Sequence, residues 1–171
     1  MKAKIISIVL VSLFTATIFA GSGIFQTDFK KASEQAKKEN KFMLVDFSGS
    51  DWCGWCVKLD KEVFSKPAFE KYAKENLVCV LLDFPKKTKI EKSLLKQNRE
   101  LANKYKIRGY PTVLIMNPDG EVVEKTGYRP GGAEKYVSFI KGVIEKNTKK
   151  EEKKEGKECS IKSEKKGGCG K

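Results

Sequence analysis

The chain of 171 residues carries 35 Lys and Arg against 22 Asp and Glu, a formal charge of +13, and no histidine. The length suits one ordinary domain with tails, and the missing imidazole excludes Ser-His and Cys-His catalytic pairs as well as histidine metal ligands. The positive excess is Lys interspersed with Glu, arginine is confined to Arg99, Arg108 and Arg129, and there is no basic helix or aromatic-Arg ladder, so no nucleic-acid partner is expected.

Met1-Lys2-Ala3-Lys4 is a short positive start, and residues 5–20 are an apolar run too short and too dotted with Ser and Thr for a membrane span. This pattern predicts a secretory signal peptide over residues 1–22. Small residues at Ala20 and Ser22, or at Gly21 and Gly23, offer the cleavage pattern, and no cysteine follows to take a lipid. Left uncleaved, the same segment is an N-terminal anchor and the chain's only link to a membrane. The expected location is exported, periplasmic or secreted, where disulfides persist.

Residues 28–40 place Phe29, Ala32 and Ala36 on one helical stripe, with Thr27 or Asp28 as N-cap and Asn40 as the stop. Residues 42–47 read as a buried strand, and Ser48-Gly49-Ser50-Asp51 as the turn that delivers Trp52-Cys53-Gly54-Trp55-Cys56. A helix starting at Cys53 sets both sulfurs on one face of its first turn. Unpaired N–H groups and the helix dipole there stabilise a thiolate, and such sites lower a cysteine pKa from about 8.5 into the range of roughly 3.5 to 7.5. The first cysteine is therefore a candidate nucleophile.

Val57, Leu59, Val63 and Phe64 continue this helix until Pro67, where Ser65 is expected to cap a second piece that ends near Asn76. Residues 77–84 are continuously apolar, the pattern of a strand covered on both faces, with Cys79 as a core residue. A Lys-rich connection over residues 85–98 holds a helical patch at Ile90, Leu94 and Leu95, and Leu101, Ala102 and Tyr105 stripe one more helix. Gly109-Tyr110-Pro111 precedes a strand over residues 112–116, and Asn117-Pro118-Asp119-Gly120 turns it into a partner over residues 121–126. Tyr136, Val137, Phe139, Ile140, Val143 and Ile144 mark a last helix. The folded domain is thus expected over residues 23–146. Residues 147–171 are a Lys/Glu/Gly tail without core-forming residues, expected to be disordered, that carries Cys159 and Cys169.

This order of elements, with a Cys-x-x-Cys after an early strand, resembles the thioredoxin family over about residues 27–145. Val45-Asp46-Phe47 ahead of Trp52-Cys53-Gly54-Trp55-Cys56 resembles its strand and active-site turn, Ile107-Arg108-Gly109-Tyr110-Pro111-Thr112 its cis-proline loop, and Asp119-Gly120-Glu121-Val122 with Gly127 its closing hairpin. The resemblance implies an α/β thioredoxin fold, a central mixed sheet flanked by helices. It also implies a thiol-disulfide oxidoreductase needing no metal or organic cofactor, in which Cys53 attacks and Cys56 resolves. Trp52, Tyr110 and Pro111 would form the substrate-binding surface, the backbone of Tyr110 pairing with an extended substrate segment. Asp46 would accept the proton of Cys56, and Pro111 would face the sulfurs. The signal segment and the long connection are more like the extracytoplasmic branch of the family. Two departures stand out: one residue more than the usual spacing separates Asp46 from Cys53, and the strand over residues 77–84 lacks the lysine that thioredoxins bury, with Cys79 near the equivalent place.

The partners this implies are cysteine-containing protein substrates and an upstream thiol-disulfide donor or acceptor, with the protein a monomer. The direction of transfer stays open among reduction, isomerisation and oxidation, with a tilt to the first two because no histidine separates the cysteines. For Cys53 and Cys56 the competing readings are a permanent disulfide and half of a thiolate zinc site, for which Cys159 and Cys169 are poorly spaced. Cys159 and Cys169 suggest a second disulfide or a tethered dithiol. Other function classes are a non-catalytic peptide-binding or chaperone module and a thiol-based metal-trafficking protein.

Overall fold

The computed structural model describes the backbone of residues 23–166 and the side chains of residues 23–150. The segment read as a signal peptide and Cys169 lie outside the described residues, and so does the side chain of Cys159.

Among the described residues a single sheet of five strands organises the chain, with β1 (Phe25–Gln26), β3 (Leu77–Asp83), β2 (Phe42–Ser48), β4 (Thr112–Met116) and β5 (Val122–Thr126) lying side by side in that order. Its centre is β2 (Phe42–Ser48), every residue of which is buried. β2 runs parallel to β3 (Leu77–Asp83) on one side and antiparallel to β4 (Thr112–Met116) on the other, so the sheet is mixed as expected. β5 (Val122–Thr126) closes the β4 edge, and β1 (Phe25–Gln26), too short to leave a periodic signal, pairs with β3.

Alternation along β2 divides the core. Met43, Val45 and Phe47 face α1 (Phe29–Glu39), whose stripe of Ala32 and Ala36 lets the helix lie close to the sheet, and the apolar side of α4 (Lys92–Lys104). Phe42 and Leu44 face the other layer, built from α2 (Gly54–Leu59), α3 (Pro67–Asn76) and α5 (Gly132–Lys166). Asp46 has the parity of Phe42 and Leu44, so period-two geometry aims its carboxylate beneath α2. That placement decides the chemistry of the site.

The ends of α1 follow its caps: the Asp28 carboxylate accepts from the Lys31 N–H at 3.0 Å, and Asn40 takes the left-handed conformation at φ 51°. Several details differ from the sequence reading. α2 begins at Gly54, with Cys53 as its N-cap, and continues through a π-helical turn at Asp60–Phe64. Ser65 does not cap α3; its hydroxyl donates to Asp60 at 3.1 Å, and Pro67, which needs no N–H partner, opens the helix after Lys66. The two helical pieces expected after β3 are one helix, α4, pinned by Gln97 to the Phe29 N–H and the Thr27 carbonyl and by Asn98 to the Asp83 carbonyl. β5 starts at Val122 because the Glu121 N–H is taken by the Asn117 side chain at 2.8 Å.

The backbone of α5 is helical to Lys166, where the sequence reading expects a tail from residue 147. Lys and Glu are good helix formers and continue a helix that packing has already nucleated. Among its described side chains, which end at residue 150, the last buried one is Val143. Among the described residues no helix is long and apolar enough to cross a membrane.

Candidate functional site

The turn between β2 and α2 is held by Gly49, whose carbonyl accepts from Trp52 N–H at 3.2 Å and Cys53 N–H at 2.8 Å. A Cβ at this glycine would come within 2.5 Å of the Trp52 indole, so the tight crossing requires glycine here. Cys53 and Cys56 are joined in a disulfide across the first turn of α2. Cys53 is the N-cap itself, and its sulfur accepts from the Cys56 N–H at 3.2 Å while its carbonyl accepts from Val57 N–H at 3.1 Å. An N-terminal helix amide thus already points at the first sulfur, the arrangement that favours a thiolate when the bond opens. The Cys56 sulfur lies deeper and accepts from the Gly49 N–H at 3.5 Å.

Below Cys56 is a cavity of about 190 Å³ lined by Asp46, Ser48, Asp60, Phe64 and Leu81 among others. Asp46 and Cys56 both line this cavity. Asp46 is 4% exposed, and its Oδ1 has no hydrogen-bond partner among the described residues. Burial is the main cause that pushes its pKa up to about 8, with the charges of Asp60 and Asp83 adding to it. Tyr136 is buried too; desolvation first, and then the Asp46 charge, hold its phenol above its ordinary range while its hydroxyl donates to the Gly127 carbonyl at 3.2 Å. Across from Asp46 on β3 stands Leu81, and Cys79 pairs with Leu44, one step further down the same face. Burial drives the Cys79 thiol up to about 12, which leaves it an inert core residue.

Above the disulfide the surface is aromatic. Trp52 and Trp55 are the two most exposed of these rings, at 39% and 58%. Trp52 meets Tyr110 edge to face with centroids 5.8 Å apart, and Tyr110 packs on Phe84 at 5.2 Å. The Tyr110–Pro111 bond is cis, and the loop is closed by Thr112, whose hydroxyl donates to Gly109 at 2.7 Å. Gly127 passes so near that a Cβ there would sit 2.9 Å from the Pro111 carbonyl. On the far side Trp55 packs on Tyr128 at 5.2 Å, and the Tyr128 hydroxyl donates to Glu62 at 2.6 Å.

Sequence reasoning missed the contacts that fix this rim. Ser50 donates through its N–H and hydroxyl to the two oxygens of Asp83 at 2.9 and 2.6 Å. The Asp51 carboxylate accepts from the N–H groups of Lys86, Lys87 and Thr88 at 2.9, 2.7 and 2.8 Å, and these bonds hold its pKa down at about 2. The Trp52 indole N–H donates to the Phe84 carbonyl at 2.7 Å. A run of Ser and Asp in a turn signals side-chain to main-chain bonding, but the partners lie more than thirty residues away.

Comparison with known proteins agrees with this geometry. The profile of the thioredoxin-like domain matches residues 29–141. A disulfide bond reductase, DsbH of Chlamydia pneumoniae, is 30% identical over 125 residues, which cover 73% of this chain and 75% of that protein. The thioredoxin-related protein DsbJ of the same organism is 29% identical over 132 residues, 74% of this chain but 38% of the relative. Among solved structures, a DsbH oxidoreductase superposes with a TM-score of 0.67 at 31% identity over 71% of this chain and 85% of its own. A thioredoxin from Thermus thermophilus, at 19% identity and a TM-score of 0.52, shares the fold. With a matching profile over most of the folded part and a paired Cys-x-x-Cys at the helix start where such chemistry is expected, the chain belongs to the thioredoxin-like family of thiol-disulfide oxidoreductases.

Proposed function

We propose that the protein is an exported reductase of disulfides in other proteins, with Cys53 as the attacking thiolate and Cys56 as the resolving thiol. The observation that carries this reading is the unequal setting of the two sulfurs: Cys53 caps a helix, while Cys56 shares a cavity with the buried Asp46 carboxyl group, whose Oδ1 has no partner among the described residues. In the reduced protein the Cys53 thiolate attacks one sulfur of a substrate disulfide, a mixed disulfide forms and the first substrate thiolate leaves. Cys56 gives its proton to the Asp46 carboxylate and attacks the Cys53 sulfur, and the second substrate thiolate leaves. Two protein thiols are oxidised, one substrate disulfide is reduced, and Asp46 ends protonated. A neutral Asp46 beside a closed disulfide is the state that its raised pKa favours below about pH 8. The reverse reaction returns that proton to Cys56 as the incoming donor opens the bond.

The substrate would lie across Trp52, Tyr110 and Pro111, with the Tyr110 backbone pairing with an extended segment beside the scissile disulfide. The direction of transfer is supported by similarity to a protein named as a disulfide bond reductase and by the Gly-Trp pair between the cysteines, which lacks an imidazole to stabilise the reduced form. Export is supported by the positive start and short apolar run of residues 1–22. Prereduced protein should reduce a disulfide-bonded test protein, and Cys53→Ser should abolish that reduction; activity left intact by the substitution would refute the catalytic assignment and leave a binding module. A reduction potential near about −270 mV fits a reductant, and one near about −120 mV would reverse the direction. N-terminal sequencing of the protein recovered from an expressing cell should begin near residues 21–24.

A further inference from the structure

The connection after β3 is bound to the redox turn by three consecutive side chains. Ser50 holds Asp83, Asp51 collects the main-chain N–H groups of Lys86, Lys87 and Thr88, and Trp52 donates to Phe84. The Phe84 N–H closes the frame on the Ser48 carbonyl at 2.8 Å. A lysine-rich loop is therefore fixed against the redox turn. Lys86, Lys87 and Lys89 are exposed. Among the described residues none of the three has a carboxylate within ion-pair distance, while the Lys86 ammonium lies 3.9 Å from the centre of the Trp52 ring. The acids that strap this loop, Asp51 and Asp83, direct their oxygens at main-chain N–H groups and at Ser50, and Glu91 at the loop's end accepts from the Ser93 hydroxyl at 3.3 Å. The opposite flank repeats the theme, with Lys58 5.1 Å from the Trp55 ring and 5.0 Å from Tyr128, but there Glu62 sits 3.9 Å from the ammonium. Lysines without an ion-pair partner among the described residues thus line the Trp52 and Tyr110 side.

We propose that the strapped loop over residues 84–91 is a specificity wall that selects substrate segments carrying Asp or Glu close to the attacked cysteine. The proposal rests on the reductase reading and names the substrate class of the same site. An extended segment advances about 3.3 Å per residue, so carboxylates roughly two to four residues from the cysteine fall within reach of flexible lysine side chains on the wall. Charges at such a rim act chiefly on encounter and orientation, and their effect is screened by salt.

The test uses the full-length prereduced protein and three synthetic peptides, each with one intramolecular disulfide, that differ only in having Glu, Gln or Lys at the two positions flanking the cysteines. At low ionic strength the Glu peptide should be reduced about five to ten times faster than the Lys peptide, with the ratio falling toward one at high salt. The pair Lys87→Gln with Lys89→Gln should remove most of that ratio. Lys30→Gln with Lys38→Gln, which subtracts the same net charge from α1, should keep it. Equal rates for Glu and Lys peptides overturn the proposal with the reductase reading intact, and so does a preference that both lysine pairs lower equally, since that is a property of total charge. If no peptide is reduced, the reductase reading fails and this proposal with it.

Discussion

Asp46 and Asp51 stand five residues apart on the two sides of one turn, and their environments drive them in opposite directions. Asp46 lies under the disulfide with an oxygen that no described residue satisfies, and its pKa is pushed up to about 8 by burial. Asp51 lies on the rim, receives three main-chain N–H groups and is held down at about 2. Position relative to the sheet makes the difference: β2 carries Asp46 into the layer under α2, and the turn throws Asp51 out toward the loop after β3. The same side-chain chemistry therefore serves as a buried, neutral acid inside and as a permanently charged clasp outside. One holds a proton, and the other holds a loop.

The largest expected effect comes from Asp46→Asn. Below about pH 8 the folded chain keeps the Asp46 proton, whereas the unfolded chain loses it near 3.8, so folding becomes less favourable as the pH rises through that window. The amide removes this cost. The oxidised variant should gain on the order of 3 kcal/mol over the parent at pH 8, scaled down from the full shift for relaxation of the site, and the gain should vanish at pH 4. Denaturant melts at the two pH values measure it. The same variant should resolve mixed disulfides roughly ten to a hundred times more slowly at pH 7. If its stability gain were independent of pH, the contrast between the two aspartates would collapse.

Gly49→Ala tests the hinge between the two regions. Its Cβ meets the Trp52 indole, so the ring must leave the Phe84 carbonyl, at a cost of about 1–3 kcal/mol typical of overpacking. Because the same contact is then already lost, adding Trp52→Phe should cost much less in the Gly49→Ala background than in the parent, and additive costs in the double-mutant cycle would count against the clash. Asp51→Asn should speed hydrogen exchange at the Lys86, Lys87 and Thr88 amides about tenfold and leave the titration of Asp46 in place. Its sign is opposite to that of Asp46: the clasp is complete above about pH 4 and loosens as the pH falls toward 2. Coupled changes at both aspartates would show one network where the structure draws two. The smallest effect is expected for Ser50→Ala, about 0.5–1 kcal/mol in a thermal melt, since its exposed bonds to Asp83 are readily replaced by water.

What was legible in the sequence follows the same division. The apolar runs of β2 and β3, the caps Asp28 and Asn40, and the Trp52 to Cys56 turn announce themselves through period and local chemistry, and they carry the fold. The proline loop and the Asn117 hairpin were equally plain, because turn residues state their backbone needs locally. The register of β3 was not legible: a uniformly apolar strand gives no marker for which residue opposes Asp46, and that residue is Leu81. Nor was the π-helical turn at Asp60–Phe64, whose added residue leaves the apolar spacing of Val63 and Phe64 nearly unchanged. The clasp of Ser50, Asp51 and Trp52, and the pins of Gln97 and Asn98, join side chains to distant main chain and have no period at all.

The solitary burial of Asp46 has a practical consequence for observing catalysis. Most enzymes exchange protons near neutrality through histidines, whose uptake and release overlie any other signal. This chain has none. A carboxyl group that titrates near pH 8 is therefore well separated in pH from the ordinary carboxylates, and its carbonyl vibration in the neutral form is absent from the ionised one. Infrared difference spectra recorded while the disulfide opens and closes would follow a single acid, free of imidazole, through the redox cycle.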